Sequence, residues 1–152
     1  MLFRSVASLG VPYILMHMKG DPQTMAGLSE YQDVTAEVLD YLIKKLKECR
    51  DAGIKDVIID PGFGFAKNIQ QNFRLLSELR ALTMLDCPIL VGLSRKSMIY
   101  RTLGISPEES LPGTMALNAL ALEKGADILR VHDVREAAQL ASLMAAYKKA
   151  AS

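Results

Sequence analysis

Tryptophan is absent from this chain, and histidine and cysteine occur only twice each in 152 residues. Two histidines cannot furnish a His-rich metal centre, and without tryptophan a tryptophan-lined sugar site is a poor candidate. Cys49 and Cys87 show neither Cys-x-x-Cys nor metal-ligand spacing, which reads as free buried thiols in a reducing, cytoplasmic compartment. An excess of charge of one sign is missing too. Lys and Arg number 18 against 17 Asp and Glu, a formal net charge of +1. That near-cancellation removes the global field with which a nucleic-acid binder or a polybasic membrane-surface protein captures its partner. No apolar run approaches the roughly 18 residues of a membrane span, and the N-terminus lacks the charged, apolar, small order of a signal peptide. Linkers and low-complexity tracts are not evident either. What remains is one domain's worth of chain, 50% hydrophobic and 23% charged, able to bury a real core.

One pattern recurs four times. Val11–Met16, Val57–Asp60, Ile89–Leu93 and Ile128–His132 are short apolar runs bounded by turn residues. Such runs read as strands covered on both faces, the habit of parallel sheets. Between them lie helical spacings. Val34, Val38, Leu42 and Leu46 recur every fourth residue with charges on the remaining positions. Capping patterns open further helices: Ser106-Pro107-Glu108-Glu109, Asn68 with Gln71, and Asp133 with Glu136. Gly53 and Gly125 follow helical runs, where a left-handed residue is wanted. Residues 1–10 read as the last turns of a helix closed by Gly10, an opening that suggests a chain cut from something longer. The fold class is therefore α/β, built of consecutive parallel β/α units. No Gly-x-Gly-x-x-Gly occurs, so a Rossmann dinucleotide fold lacks its fingerprint. A full (β/α)8 barrel needs roughly 250 residues, so this length supplies about half of one.

In such architectures ligands bind at the carboxyl ends of the strands. Asp60 closes an apolar strand, where a carboxylate is costly without a partner, and it suits the amidine-like edge of a heterocycle such as an aminopyrimidine. Gly62 and Gly64 permit close backbone approach, and Phe65 offers a stacking ring. Asp-Pro-Gly is also ordinary turn vocabulary, so a loop cap is the plainer reading. Gly92-Leu93-Ser94-Arg95-Lys96-Ser97 gathers cations and hydroxyls able to hold an anion. Its plainer reading is a solvated turn opening a short helix at Met98–Tyr100. Arg130 and His132, two apart, point to the same side of the last strand. The alternative for Arg130 is an internal ion pair with Asp60 or Asp133. Met16 reads as a pocket wall, His17 as a core histidine satisfied by backbone, and Gly20–Thr24 as a loop. Local positive charge on a nearly neutral chain points to a small anionic ligand that also donates hydrogen bonds to Asp60.

Four blocks, Leu15-Met16-His17-Met18-Lys19-Gly20 with Pro22-Gln23-Thr24-Met25, Asp60-Pro61-Gly62-Phe63-Gly64-Phe65-Ala66-Lys67, Gly92-Leu93-Ser94-Arg95-Lys96-Ser97 and Arg130-Val131-His132-Asp133-Val134, resemble dihydropteroate synthase in type and order. The resemblance covers essentially the whole chain. It implies a (β/α)8 TIM barrel of which residues 1–152 form a partial pterin-binding domain, the C-terminal half with about strands five to eight, the N-terminal half missing. It implies the condensation of 4-aminobenzoate with 6-hydroxymethyl-7,8-dihydropterin diphosphate to dihydropteroate and diphosphate, a step of folate biosynthesis.

By that resemblance Asp60 binds the pterin amino edge, Lys96 contacts the pterin and the aminobenzoate pocket, and Ser97 holds the aminobenzoate carboxylate. Arg130 stacks on the pterin and, with His132, faces the departing diphosphate, while Met16, Phe65 and Gly92 line the pockets. Lys96, Arg130 and His132 are the catalytic candidates. Mg²⁺ is implied as cofactor, its protein ligand lying in the missing half together with further pterin contacts and two mobile loops, so the fragment alone is expected to be inactive. Met1 falls where the family has an interior helix and is expected to be an internal methionine. A homodimer through residues 107–124 and 134–149 is implied as well. An inactive half-barrel acting only in assembly, and a pterin-binding methyltransferase with a related barrel, are the other readings. The Ser94–Ser97 block argues against the latter, which has no aminobenzoate carboxylate to hold.

Overall fold

Helices and strands alternate through the chain in a computed structural model that describes residues 2–20 and 30–151. Pro22–Met25 of the first motif block, and the expected loop over Asp21–Thr24, lie outside the described residues. Helix α1, Leu2–Leu9, is closed by Gly10, whose amide donates to the Ala7 carbonyl. Strand β1, Tyr13–Met16, precedes α2, Val34–Asp51. Asp33 caps α2 by accepting from the Thr35 and Ala36 amides at 3.0 Å each, satisfying donors that the first turn leaves unpaired. Strand β2, Val57–Asp60, leads into α3, Ile69–Ser77, opened by the reciprocal Asn68–Gln71 box that the sequence predicts. A 3₁₀ turn, Leu79–Leu85, joins α3 to β3, Leu90–Val91, which is followed by α4, Ser97–Leu103. Then come α5, Leu111–Glu123, β4, Ile128–Leu129, and α6, Val134–Ala151.

The last two strands are shorter than their apolar runs, although the Arg130 amide still donates to the Val91 carbonyl beyond the pairing. The Ser106–Glu109 cap opens only a 3₁₀ turn, Glu108–Ser110, with Glu109 accepting from the Ser106 amide, and α5 begins after it. The Asp133 carboxylate is engaged by Arg95, and the Asp133 carbonyl accepts from the Ala137 amide in the first turn of α6.

The four strands lie in chain order and run parallel. β1 pairs with β2 in a register that sets Met16 beside Asp60, and β3 pairs with β4. A parallel bridge between Ile59 and Ile89 links the two pairs, with the Ile59 amide donating to the Pro88 carbonyl. Among the described strands the order never reverses, so the switch point of a doubly wound sheet is absent.

Strand alternation divides the sheet into two faces. Leu15, Val57, Ile59 and Val91 pack into one core with Val38, Leu42 and Leu46 of α2 and with Leu75, Leu79 and Leu82. The other face carries Ile14, Met16, Ile58 and Asp60. Coverage on both sides, expected from the apolar runs, fails at Ile14, 46% exposed beside Leu15 at 2%, whereas an exposed inner face is what half of a barrel is expected to leave. Among the described residues α2 and Leu75, Leu79 and Leu82 pack against the Leu15 side, and the opposite face meets solvent at Ile14. Leu42 is fully buried in the α2 seam. Leu42→Ala is expected to lower unfolding free energy by about 2–5 kcal/mol, read as a shifted urea midpoint with unchanged slope.

Candidate active site

Asp60 ends β2 with its side chain 1% exposed. One carboxylate oxygen accepts from the Gly62 amide at 2.8 Å, while the other has no hydrogen-bond partner and lies 3.6 Å from the Arg130 guanidinium. Burial pushes the Asp60 pKa up, against the Gly62 amide and the positive charges of Arg130, Lys96 and Lys67, which pull it down. The loop that follows is built for this. Gly62 has a φ of 72°, and a Cβ there would collide with the His17 carbonyl. Only glycine lets the chain turn back under the strand end.

Lys96, at the end of β3, donates from Nζ to the Phe63 carbonyl at 2.8 Å and lies 4.4 Å over the Phe65 ring. Burial and the neighbouring Arg130 charge lower its pKa, and Asp60 raises it. Ser97 follows as the first, half-buried residue of α4, so the turn-and-helix reading of this block is also correct locally. Gly92 is buried, and a Cβ there would lie 3.0 Å from Arg130 Nη2. Its missing side chain is what lets the guanidinium lie across β3.

The alternative of an internal ion pair holds for Arg130. It pairs with Asp60, yet at 3.6 Å and with its side chain 54% exposed it retains donors for a ligand. His132 is exposed, and its Nδ1 sits 2.9 Å from Ser94 Oγ. Met16, partly buried, lies beside Asp60 in register. Asp60, Lys96 and Arg130 converge at adjacent strand ends rather than splaying toward different surfaces, with Phe65 and Gly92 between them.

Lys67 and Asn72 carry no role of their own in the sequence reading, and Ser94 figures there only as one of the hydroxyls able to hold an anion. Lys67 is buried and points back under the loop, donating to the Gly62 and Phe65 carbonyls at 2.9 and 3.1 Å and meeting His17 Nδ1 at 3.0 Å. Burial lowers its pKa to about 7. Asn72 accepts from the Gly64 amide and donates to the Lys67 and Asn68 carbonyls. Ser94 anchors His132. The only sequence signal for Lys67 was a cation seven residues past Asp60, inside a motif whose other members carried the attention. His17 is a core residue with a backbone hydrogen bond, as expected, and Lys67, Tyr41 and Tyr31 also surround its ring.

Among the described residues no group of three or more His, Cys, Asp or Glu side chains converges as a metal-ligand set. The described residues alone do not fit a Mg²⁺ site.

The carboxyl ends of this parallel β/α sheet carry a buried carboxylate with one oxygen lacking a hydrogen bond, a desolvated ammonium and a partly free guanidinium, a set of groups suited to small ligands of mixed polarity. Comparison with known proteins agrees. The model of the family described as pterin binding enzyme matches residues 1–132. The chain is 46% identical over 134 residues to dihydropteroate synthase of Escherichia coli K12, covering 87% of this chain and 48% of that protein. It is 37% identical to the Bacillus subtilis enzyme of the same name, covering 91% and 47%. Among solved structures, a Yersinia pestis dihydropteroate synthase in a sulfonamide drug complex superposes with a TM-score of 0.94 at 36% identity, over 97% of this chain and 55% of that one. A Thermus thermophilus dihydropteroate synthase in complex with 4-aminobenzoate gives 0.92 at 38% identity, over 95% and 60%. The chain belongs to the pterin-binding enzyme family. It spans about half the length of the curated relatives it matches.

Burial, then the charges of Lys67 and Lys19, lower the His17 pKa to about 3. A folded-state pKa below the unfolded value of 6.5 means that the unfolded chain binds the proton first as pH falls. Stability from this group is therefore complete above about pH 6.5 and is lost toward pH 3, by roughly 1.4 kcal/mol per unit. NMR titration of the His17 ring in the folded chain is expected to find it neutral at pH 5. A midpoint near 6.5 contradicts the assignment.

Proposed function

We propose that this chain contributes to a dihydropteroate synthase site as residues 1–152 of a (β/α)8 barrel, supplying about strands five to eight, with the N-terminal half of the barrel furnished by chain outside this sequence. The observation that carries the reading is the free oxygen of Asp60. A buried carboxylate with one oxygen bonded to Gly62 and the other unsatisfied is an acceptor waiting for a donor, and a pterin amino edge supplies one. Two solved structures of one relative support the ligand classes: the Thermus thermophilus enzyme has been solved with 4-aminobenzoate and, separately, in complex with 6HMPPP.

In this reading the 4-aminobenzoate amine forms a C–N bond at the pterin methylene as the C–O bond to diphosphate breaks, and the amine proton leaves to solvent. No covalent nucleophile is needed. Alignment of the amine and stabilisation of the leaving anion carry the rate. Asp60 holds the pterin, Lys96 bridges pterin and aminobenzoate pocket, and Ser97 takes the aminobenzoate carboxylate. Arg130 and His132 meet the diphosphate, and Met16, Phe65 and Gly92 form the walls. The Mg²⁺ that the resemblance implies would have its protein ligand in the other half, and a cytoplasmic setting goes with this chemistry. No helix among the described residues is long and apolar enough to cross a membrane.

A second reading, an incomplete barrel whose role is assembly, is favoured by the exposed inner face at Ile14. The two are separated by activity in context. The isolated 152-residue chain is expected to yield no dihydropteroate. A chimera carrying residues 1–132 in place of the matching stretch of the Escherichia coli enzyme is expected to yield it, and Lys96→Ala in that chimera to lower kcat/KM by about 100-fold or more. An inactive chimera that folds favours the assembly reading, and unchanged kinetics in the variant shows that Lys96 is misassigned.

The proposed homodimer through residues 107–124 and 134–149 has apolar surface to use. Leu120, Leu143 and Tyr147 are exposed on α5 and α6. Light scattering is expected to find the complete barrel dimeric and a Leu143→Glu variant monomeric.

A further inference from the structure

Ser94 is 6% exposed and makes two contacts, both to one residue on the neighbouring strand end. Its Oγ lies 2.9 Å from His132 Nδ1 and accepts from the His132 amide at 3.3 Å. A serine hydroxyl has one proton to give and two lone pairs to receive. The His132 amide occupies a lone pair. If Nδ1 carried its own proton, it would occupy the second, and the buried Ser94 proton would be left without an acceptor at a cost of about 1–3 kcal/mol. Giving that proton to Nδ1 satisfies every group. Nδ1 is then the acceptor, and the neutral ring carries its proton on Nε2.

The neighbours allow this arrangement to stand. Asp133 adjoins His132 in sequence, but its carboxylate is engaged by Arg95 through contacts of 2.8 and 3.3 Å, so it does not claim the ring proton. The same pair ties the ends of β3 and β4 a second time, which holds Ser94 and His132 in register. Nε2 lies across the ring from Ser94 on an exposed side chain, and Arg130, the residue after β4, precedes His132 by two.

We infer that Ser94 is a positioning residue that locks His132 in the Nε2–H tautomer, so that a neutral imidazole and the Arg130 guanidinium present paired donors to one oxyanion. The identity of that anion as a diphosphate rests on the function proposed above, whereas the tautomer does not. A donor of this kind works at neutral pH without first binding a proton, unlike a histidine that must become imidazolium to hold an anion.

The test uses the full 152-residue chain at pH 8, with long-range ¹⁵N–¹H spectra of its two histidine rings. Wild type is expected to show His132 as the Nε2–H form alone. Ser94→Ala is expected to show both tautomers in exchange, and Ser94→Thr to restore the single form, while the His17 ring stays unchanged in all three and reports an intact fold. An Nδ1–H ring in wild type, or a single Nε2–H form that survives Ser94→Ala with His17 unperturbed, overturns the assignment. Should the alanine variant not fold, the wild-type and threonine spectra still decide. Calorimetric titration with inorganic diphosphate supplies the second arm. Binding weakened by about tenfold in Ser94→Ala and recovered in Ser94→Thr supports the donor pair. The Nε2–H ring with no diphosphate binding supports Ser94's role and overturns diphosphate as the anion.

Discussion

A carboxylate buried at the end of an apolar strand is the constraint on which the rest of this site depends. Asp60 has lost its water, and one backbone amide replaces only part of it. Three basic groups arranged about it, Arg130, Lys96 and Lys67, offset part of the remainder without any of them forming a close ion pair, and burial still prevails. A tight pair would satisfy the carboxylate and close the site. The 3.6 Å spacing to Arg130 instead leaves an oxygen and a guanidinium that both have capacity for a ligand.

The cations are themselves kept in place by backbone. Lys96 is tethered to the Phe63 carbonyl and lies over Phe65. Lys67 is tethered to Gly62 and Phe65 from below. The segment from Asp60 to Lys67 is therefore pinned from two directions by ammonium groups that share its carbonyls, with Asn72 holding the Gly64 amide as a third point. Such a loop holds its donors and acceptors in position before a ligand arrives, which is how strand-end sites reduce the cost of ordering on binding.

Much of this was legible in the chain. The alternation of apolar runs with four-residue periodicity predicts the β/α order, and the caps at Asn68 and the glycine stops at Gly53 and Gly125 are found where spacing puts them. Asp60, Lys96 and Arg130 were visible because each is a charged residue closing or interrupting an apolar run, where burial without purpose is expensive. Other features were not legible. The exposure of Ile14 has no local signature, because a residue covered by a neighbouring layer and one left facing solvent have the same side chain. Lys67 looks like an ordinary loop cation until its partners are known, and Ser94, legible as an anion-side hydroxyl, does not show that its partner is His132.

The amino-acid sequence by itself determined the elements, their parallel order, the four motif blocks and hence the family, since these rest on periodicity, capping and local turn chemistry that act over a few residues. Only the tertiary structure decided which groups meet: Lys67 with His17 across 50 positions, and Ser94 with His132 across 38. Hydrogen bonds act over about 3 Å and within narrow angles. Partners that far apart along the chain are selected by how the strands are set side by side, and no local pattern of residues encodes that distance.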